Sequence, residues 1–258
     1  MKSKIKRILL KKNKSKIICL TSYSKNFASI VDKYSDIILV GDSLGSVLYN
    51  YNSTRHVTLK NMIDHSKSVR MGVSKSLMVV DMPYKSYSNK SEALKNAKKI
   101  IKYTKCDAVK LEGGRKIKNI VKHLIKNKVS VMGHLGILPQ SMVGKFKSKG
   151  KTEKEKNTLI KDSKMLESLG VFAIVLECVN SNTAKKITNS IKIPTIGIGS
   201  SFHCDGQILV TDDLLGLNET KIKFVKKFIN IRKNIEQGIK KFKFEVINNK
   251  YPSKKYSY

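Results

Sequence analysis

The sequence is poor in acid. Only 19 of its 258 residues are Asp or Glu, against 52 Lys or Arg, which gives a formal net charge of +33 and a pI near 10. It has no apolar run approaching the roughly 18–20 residues that a membrane helix needs. The longest candidates, IICL at 17–20 and SLMVV at 76–80, are strand-sized. Its four cysteines, Cys19, Cys106, Cys178 and Cys204, include no C-x-x-C pair. A zinc site or disulfide framework is therefore not expected, and the thiols read as reduced and buried. The basic N-terminus has an apolar centre of only ILL at 8–10, too short for a secretory signal, so a cytoplasmic location is the default expectation. Linkers rich in Pro, Gly or Ser are also missing, as are solenoid-type repeats.

Arginine is scarce within the basic excess. Only Arg7, Arg55, Arg70, Arg115 and Arg232 carry a guanidinium; the rest of the positive charge is lysine spread over the whole chain. Recognition of phosphates and bases leans on arginine's planar fork, although lysine also binds phosphate as a point charge. No helix-turn-helix, zinc finger or RNP-type aromatic pattern accompanies the lysines. Nucleic-acid binding by a lysine-rich protein is kept as an alternative from a different class. It predicts steep salt dependence and indifference to magnesium chelation.

What the chain does contain is alternation. Short β-branched runs occur at 17–23, 37–43, 77–83, 108–114, 129–136, 173–179, 194–200 and 207–213. Their near-continuous hydrophobicity suits buried parallel strands. Helix-like stretches lie between them: 56–72 with Thr58 as cap candidate, 91–104 with Ser91, and 153–170 ending at Gly170. Eight such units predict an α/β fold, a (β/α)8 TIM barrel with an N-terminal extension and a C-terminal helix. An open doubly wound sheet would normally carry a glycine-rich turn after its first strand, and CLTSYSKN at 19–26 has no glycine. We expect a single domain over 1–258, with the barrel proper at about 17–217. Residues 2–16 read as a frayed start plus a short helix. Ile222, Val225, Phe228, Ile235, Ile239 and Phe242 space an amphipathic helix over about 220–244.

Scarcity makes the positions of the acids informative. Asp42, Asp81, Glu112 and Glu177 each close a strand run, in LVGDS, VVDMP, KLEGG and VLECV. In a barrel such strand ends converge on the C-terminal face, where active sites form. Any one of them could equally be a helix N-cap or a loop ion-pair partner. Four together would repel unless neutralised, and a hard divalent cation such as Mg²⁺ does this with oxygen ligands and retained waters. Three then face the metal, directly or through water, and one is left for proton chemistry. Lys110 is two residues from Glu112 and so shares its strand face. A lysine in an apolar run is costly unless paired; the alternative is an outward lysine at a strand edge. His134, in MGHLG, reaches the same mouth or else is a satisfied core histidine. Ser43 offers a hydroxyl and a backbone N–H in the turn GDSLG.

The blocks VGDSLGSVLYNYNST (40–54), HVTLKNMIDHSKSVRMG (56–72), AVKLEGG (108–114), GHLGILPQS (133–141), LECV (176–179), IPTIGIGSS (193–201) and CDGQILVTDDLLGL (204–217) strongly resemble the ketopantoate hydroxymethyltransferase family. The blocks run in family order from about residue 17 to 217. The resemblance implies a Mg²⁺-dependent (β/α)8 transferase with one Mg²⁺ per subunit. It would carry a hydroxymethyl unit from 5,10-methylenetetrahydrofolate to 3-methyl-2-oxobutanoate through a magnesium-stabilised enolate, giving 2-dehydropantoate for pantothenate and coenzyme A biosynthesis. Position by position it implies Asp42, Asp81 and Glu112 as the metal site and Asp42, Ser43, Asp81 and Lys110 as contacts of the 2-oxo acid. Glu177 becomes the proton acceptor and His134 an auxiliary residue. It also implies a large homo-oligomer. The same-fold alternative is a Mg²⁺-dependent enolate enzyme of the phosphoenolpyruvate mutase/isocitrate lyase type, but its catalytic K-K-C-G-H loop is not found. The sequence departs from the family pattern in a short, lysine-rich loop at 142–153, at Leu138 and Ser200, and at Lys254, Lys255 and Tyr256 in the tail.

Overall fold

Eight parallel strands close into a barrel in strict sequence order, in a computed structural model that describes residues 3–142, 147–219 and 222–258. The elements are α1 (Ser3–Leu10), β1 (Ile17–Thr21), α2 (Lys25–Val31), β2 (Ile37–Val40), α3 (Leu44–Tyr49), α4 (Leu59–Arg70), β3 (Leu77–Asp81), α5 (Lys90–Thr104) and β4 (Ala108–Glu112). They continue with α6 (Lys118–Lys126), β5 (Val131–Gly136), α7 (Glu153–Ser168), β6 (Ala173–Glu177), α8 (Ser181–Ser190), β7 (Thr195–Ile198), β8 (Gly206–Leu209), α9 (Thr211–Leu214) and α10 (Ile231–Ile247). This is the expected (β/α)8 architecture. Two compact units divide the chain, Met1–Val210 and Thr211–Tyr258.

Strand parity sorts the side chains of the first unit into two cores. Val109, Leu111, Val80 and Ile174 point outward and pack with helical residues such as Ala97, Leu124 and Leu166. Leu77 and Val79, Ala108, Met132, and Ala173 and Val175 belong instead to an inner cluster with Ile17, Ile37 and Ile208. The next residues of the same parity are Asp81, Lys110 with Glu112, His134 and Glu177. The barrel interior is thus apolar at its base and charged at its top, on one period-2 pattern.

The base is closed by α1. Its Ile5 and Ile8 are fully buried in the inner cluster, worth roughly 2 kcal/mol each in removed apolar surface. Lys4 donates to the Ser74 and Ser76 carbonyls at 2.8 Å. Lys12 reaches the Thr188 carbonyl and Asp205 Oδ2, both at 2.8 Å. The short helix expected here is present, ordered by apolar burial and the tethers of Lys4 and Lys12; the frayed start expected before it falls on residue 2, outside the described residues. Lys12 also secures the shortest strand pairing, β7 with β8, which matches only two residue pairs; Asp205 accepts the Thr195 N–H there at 2.8 Å.

Helix starts follow local capping chemistry. Thr58 and Asn61 form a reciprocal capping box on α4. The cap of α5 is Asn89, which accepts the Glu92 N–H at 2.9 Å; Ser91 lies inside the helix, correcting that expectation. Gly170, at φ +94°, follows α7 as expected of a helix stop. In the second unit, α10 begins at Ile231 because Asn230 accepts the Lys233 N–H, later than the expected 220. Residues 220–221, and 143–146 of the lysine-rich loop, lie outside the described residues. Ile235, Ile239 and Phe242 of α10 are exposed.

One carboxylate at the base does heavy structural duty. Asp32 accepts the backbone N–H groups of Ser74, Lys75 and Ser76, and the Ser74 hydroxyl at 2.9 Å. Burial alone would raise its pKa, but these donors overcome it and hold the carboxyl well below the usual range. A depressed folded-state pKa stabilises the fold above the unfolded value near 3.9, and the contribution is lost as pH falls through the folded one. Asp32→Ala should cost about 3 kcal/mol in urea unfolding at neutral pH, and the gap from the parent should narrow on acidification below about pH 4. An undiminished gap at low pH would refute this role.

Candidate active site

The charged top of the barrel is built from adjacent strands in register. Asp81 pairs with Lys110 across β3 and β4, Glu112 with His134 across β4 and β5, and Gly136 with Glu177 across β5 and β6. Asp42 and Ser43 follow β2 in the turn that leads into α3. The structure thus brings together every residue singled out in the sequence: Asp42, Ser43, Asp81, Lys110, Glu112, His134 and Glu177.

Lys110 is the hub. Its side chain is 5% exposed, and Nζ lies 3.2 Å from Asp81 Oδ1 and 3.1 Å from His134 Nδ1. Burial would lower its pKa, yet the carboxylates of Asp81, Glu112 and Asp42 outweigh this and raise it. It is therefore a permanent ammonium. An ammonium can only donate, so His134 Nδ1 accepts and the imidazole proton is assigned to Nε2. Burial, then Lys110, lowers the His134 pKa, which keeps the ring neutral. Its Nε2 sits 3.3 Å from Glu177 Oε2, though outside hydrogen-bond alignment. A line of groups, Asp81–Lys110–His134–Glu177, thus crosses the mouth.

The carboxylates crowd one another. Burial, then Asp81, pushes the Asp42 carboxyl up to about 7 against the pull of Lys110 and Gln140. Burial likewise raises Asp81 against the pull of Lys110, and raises Glu112 well above its ordinary value. The Asp42 N–H donates to Asp81 Oδ2 at 3.1 Å, which fixes the two carboxyls side by side. Gly41 makes room for this approach. A Cβ there would meet Ser43 Oγ at 2.9 Å and Asp81 Oδ2 at 3.6 Å. Ser43 Oγ pairs with the Tyr23 hydroxyl at 2.8 Å.

These residues fit a hard cation. Asp81 Oδ1 is buried with no aligned hydrogen bond and only the Lys110 ammonium at 3.2 Å beside it, and Asp42 is desolvated next to it. Among the described residues no group of three or more His, Cys, Asp or Glu forms a metal cage. Two adjacent carboxylates with open positions suit Mg²⁺, which keeps several waters. Glu112 is turned elsewhere: Oε2 accepts the Gln140 N–H at 3.0 Å, and Oε1 lies 3.6 Å from His134 Nδ1.

The residue that sequence reasoning passed over is Gln140. Its side-chain amide donates to Asp42 Oδ2 at 2.7 Å and to the Met82 carbonyl at 3.0 Å, and its Oε1 accepts from the Tyr87 hydroxyl. The signal was present in the block GHLGILPQS, but a residue beyond its strand has no parity to place it. Gln140→Ala removes the donor that orients Asp42. It should weaken Mg²⁺ binding about 10-fold or more in calorimetry and destabilise the fold by about 1–3 kcal/mol; unchanged metal affinity would contradict the orienting role.

Residues 2–254 match the family described as Ketopantoate hydroxymethyltransferase. The 3-methyl-2-oxobutanoate hydroxymethyltransferase of Pelagibacter ubique (strain HTCC1062) is 63% identical over 258 residues, covering all of both chains. That of Clostridium botulinum (strain 657 / Type Ba4) is 45% identical, covering 96% of this chain and 92% of the other. In structure the chain resembles a phosphonopyruvate hydrolase solved with oxalate and Mg²⁺, at TM-score 0.64 and 8% identity over 99% of this chain and 93% of that one. It also resembles a 2,3-dimethylmalate lyase of the PEP mutase/isocitrate lyase superfamily, at TM-score 0.64 and 12% identity over 100% and 89%; at such identities the likeness is one of fold. With a full-length family match and full-length relatives at this identity, the chain belongs to the ketopantoate hydroxymethyltransferase family.

Proposed function

We propose that the chain transfers a hydroxymethyl unit from 5,10-methylenetetrahydrofolate to 3-methyl-2-oxobutanoate, giving 2-dehydropantoate for pantothenate and coenzyme A synthesis. The observation that carries this reading is the line of groups from Asp81 through the Lys110 ammonium and His134 to Glu177. That arrangement suits removal of a proton beside a carbonyl while negative charge develops on oxygen.

Asp42 and Asp81 would hold Mg²⁺, with Glu112 acting through water. When bound, the metal supplies Lewis-acid polarisation of the keto and carboxylate oxygens of the 2-oxo acid. The Ser43 hydroxyl and N–H receive the carboxylate. Lys110 stabilises the enolate oxygen with a charge that needs no reorganisation. Glu177, whose side chain is 17% exposed at the mouth, takes the C3 proton. Neutral His134, whose Nε2 lies 3.3 Å from Glu177 Oε2, acts as an auxiliary group beside the base. The C3 carbanion bonds to the folate's methylene carbon as one of that carbon's two bonds to nitrogen breaks; the hydroxyl of water then replaces the second, and tetrahydrofolate leaves with its two nitrogens taking the water proton and the proton held on Glu177.

No helix among the described residues is long and apolar enough to cross a membrane. The reading includes a cytoplasmic homo-oligomer of single-domain subunits, one Mg²⁺ each, without nucleic acid as a partner.

Purified protein incubated with both substrates and Mg²⁺ should form 2-dehydropantoate; no product, with a matched positive control working, would reject the reading. Glu177→Gln should slow C3 deuterium exchange of 3-methyl-2-oxobutanoate at least about 100-fold while leaving Mg²⁺ binding intact. Loss of metal binding with exchange preserved would overturn the assignment. The +33 charge should also attract anionic substrates, so kcat/KM should fall with added salt; a flat response would dismiss that steering.

A further inference from the structure

The Ser43 hydroxyl has an unusual partner. Ser43 occupies the N-cap position of α3, and serine is a favoured cap. Yet among the described residues its side chain caps none of that helix's N–H groups. Its Oγ instead meets the Tyr23 hydroxyl at 2.8 Å. Tyr23 belongs to residues 22–24, the short link between β1 and α2, and is only 5% exposed.

That link is fastened at both ends and in the middle. The Ser22 N–H donates to the Leu39 carbonyl of β2 at 3.1 Å. The Lys25 N–H donates to Ser68 Oγ of α4 at 3.0 Å. Between them the Tyr23 carbonyl meets His65 Nδ1, also of α4, at 2.8 Å. A carbonyl can only accept, so Nδ1 carries a proton. On the neutral ring Nε2 then accepts, and its partner at 2.8 Å is the Tyr49 hydroxyl of α3. The Tyr49 ring meets the imidazole edge-on, with centroids 5.8 Å apart. Half-buried His65 therefore sits where α3, α4 and the link meet. It joins the helix that follows Ser43 to the residue that holds the Ser43 hydroxyl.

We infer that His65 is a positioning residue that acts through Tyr23 on Ser43, and this rests on the transferase reading above, in which Ser43 receives the substrate carboxylate. His65 fixes the Tyr23 backbone, and the Tyr23 hydroxyl fixes the Ser43 rotamer. A phenol is a stronger donor than an alkyl hydroxyl, so the Tyr23 O–H donates to Ser43 Oγ. The one hydroxyl proton of Ser43 is then left for a carboxylate oxygen, in a chain whose bonds polarise one another. Tyr49 holds the imidazole in the tautomer that presents Nδ1–H. Neither His65 nor Tyr23 takes the C3 proton; they set the affinity for the 2-oxo acid and leave the rate of proton removal to Glu177.

The test uses the full chain with Mg²⁺ and two readouts. One is calorimetric affinity for 3-methyl-2-oxobutanoate; the other is kcat and KM of its C3 deuterium exchange. Tyr23→Phe keeps the ring and should weaken binding and raise KM by about 5- to 10-fold, with kcat nearly unchanged. His65→Leu should do the same. His65→Asn, whose amide nitrogen stands in for Nδ1, should recover most of the lost affinity. Ser43→Ala should weaken binding about 10-fold or more. Adding Tyr23→Phe to it should cost nothing further, because both act on one hydroxyl. Additive losses in that cycle, unchanged affinity in Tyr23→Phe, or a fall in kcat without a rise in KM overturns the inference. So does His65→Asn binding as weakly as His65→Leu. Absence of exchange in the wild type instead rejects the transferase reading, and calorimetric affinity then decides the inference alone.

Discussion

The contact on which the site depends is the ion pair of Lys110 and Asp81, enclosed within the barrel at 3.2 Å. Taking both charges out of water carries a desolvation cost that their attraction offsets only with good geometry and further partners. Those partners are present. Nζ meets His134, and Asp81 Oδ2 receives the Asp42 N–H. Removing the ammonium would leave Asp42, Asp81 and Glu112 with no lysine or arginine ion pair among the described residues. The site is thus a small region of concentrated, only partly compensated charge, held where the barrel would otherwise be apolar.

That arrangement needs a stiff frame. The inner cluster fills the barrel beneath Lys110, and α1 seals its base with Ile5 and Ile8. The acids divide accordingly between two roles. At the base Asp32, Asp36, Asp107 and Asp205 each accept backbone N–H groups at strand starts. At the mouth Asp42, Asp81, Glu112 and Glu177 face one another and the lysine. The base carboxylates are satisfied by amides and stabilise the fold, whereas the mouth carboxylates stay partly unsatisfied and suit a metal and a proton.

Legibility from the sequence followed this division. The strands were visible because parallel strands buried on both faces read as continuous apolar runs. The mouth acids were visible because each closes such a run, and the shared face of Lys110 and Glu112 follows from period 2. The base carboxylates were not, since a residue before a strand carries no periodic mark of the amides it will meet; Asp32 acts on residues 42–44 positions away. Gln140 escaped for a related reason: its contact with Asp42 spans 98 residues and exists only once two loops meet over the closed barrel. The short helix α1 was legible but its burial was not, because eight residues with two isoleucines at helical spacing look marginal until the open end of a barrel supplies their partner.

The central claim is that Lys110 and the mouth carboxylates stabilise one another as a unit. A double-mutant cycle with Lys110→Met and Asp81→Asn, read by urea unfolding without metal, tests it most directly. The account predicts that Lys110→Met alone costs about 3 kcal/mol or more, because it strands a buried carboxylate, and that adding Asp81→Asn recovers much of the loss. Strictly additive losses would contradict it, since Lys110 would then be an ordinary buried side chain and not the counter-charge around which the site is built.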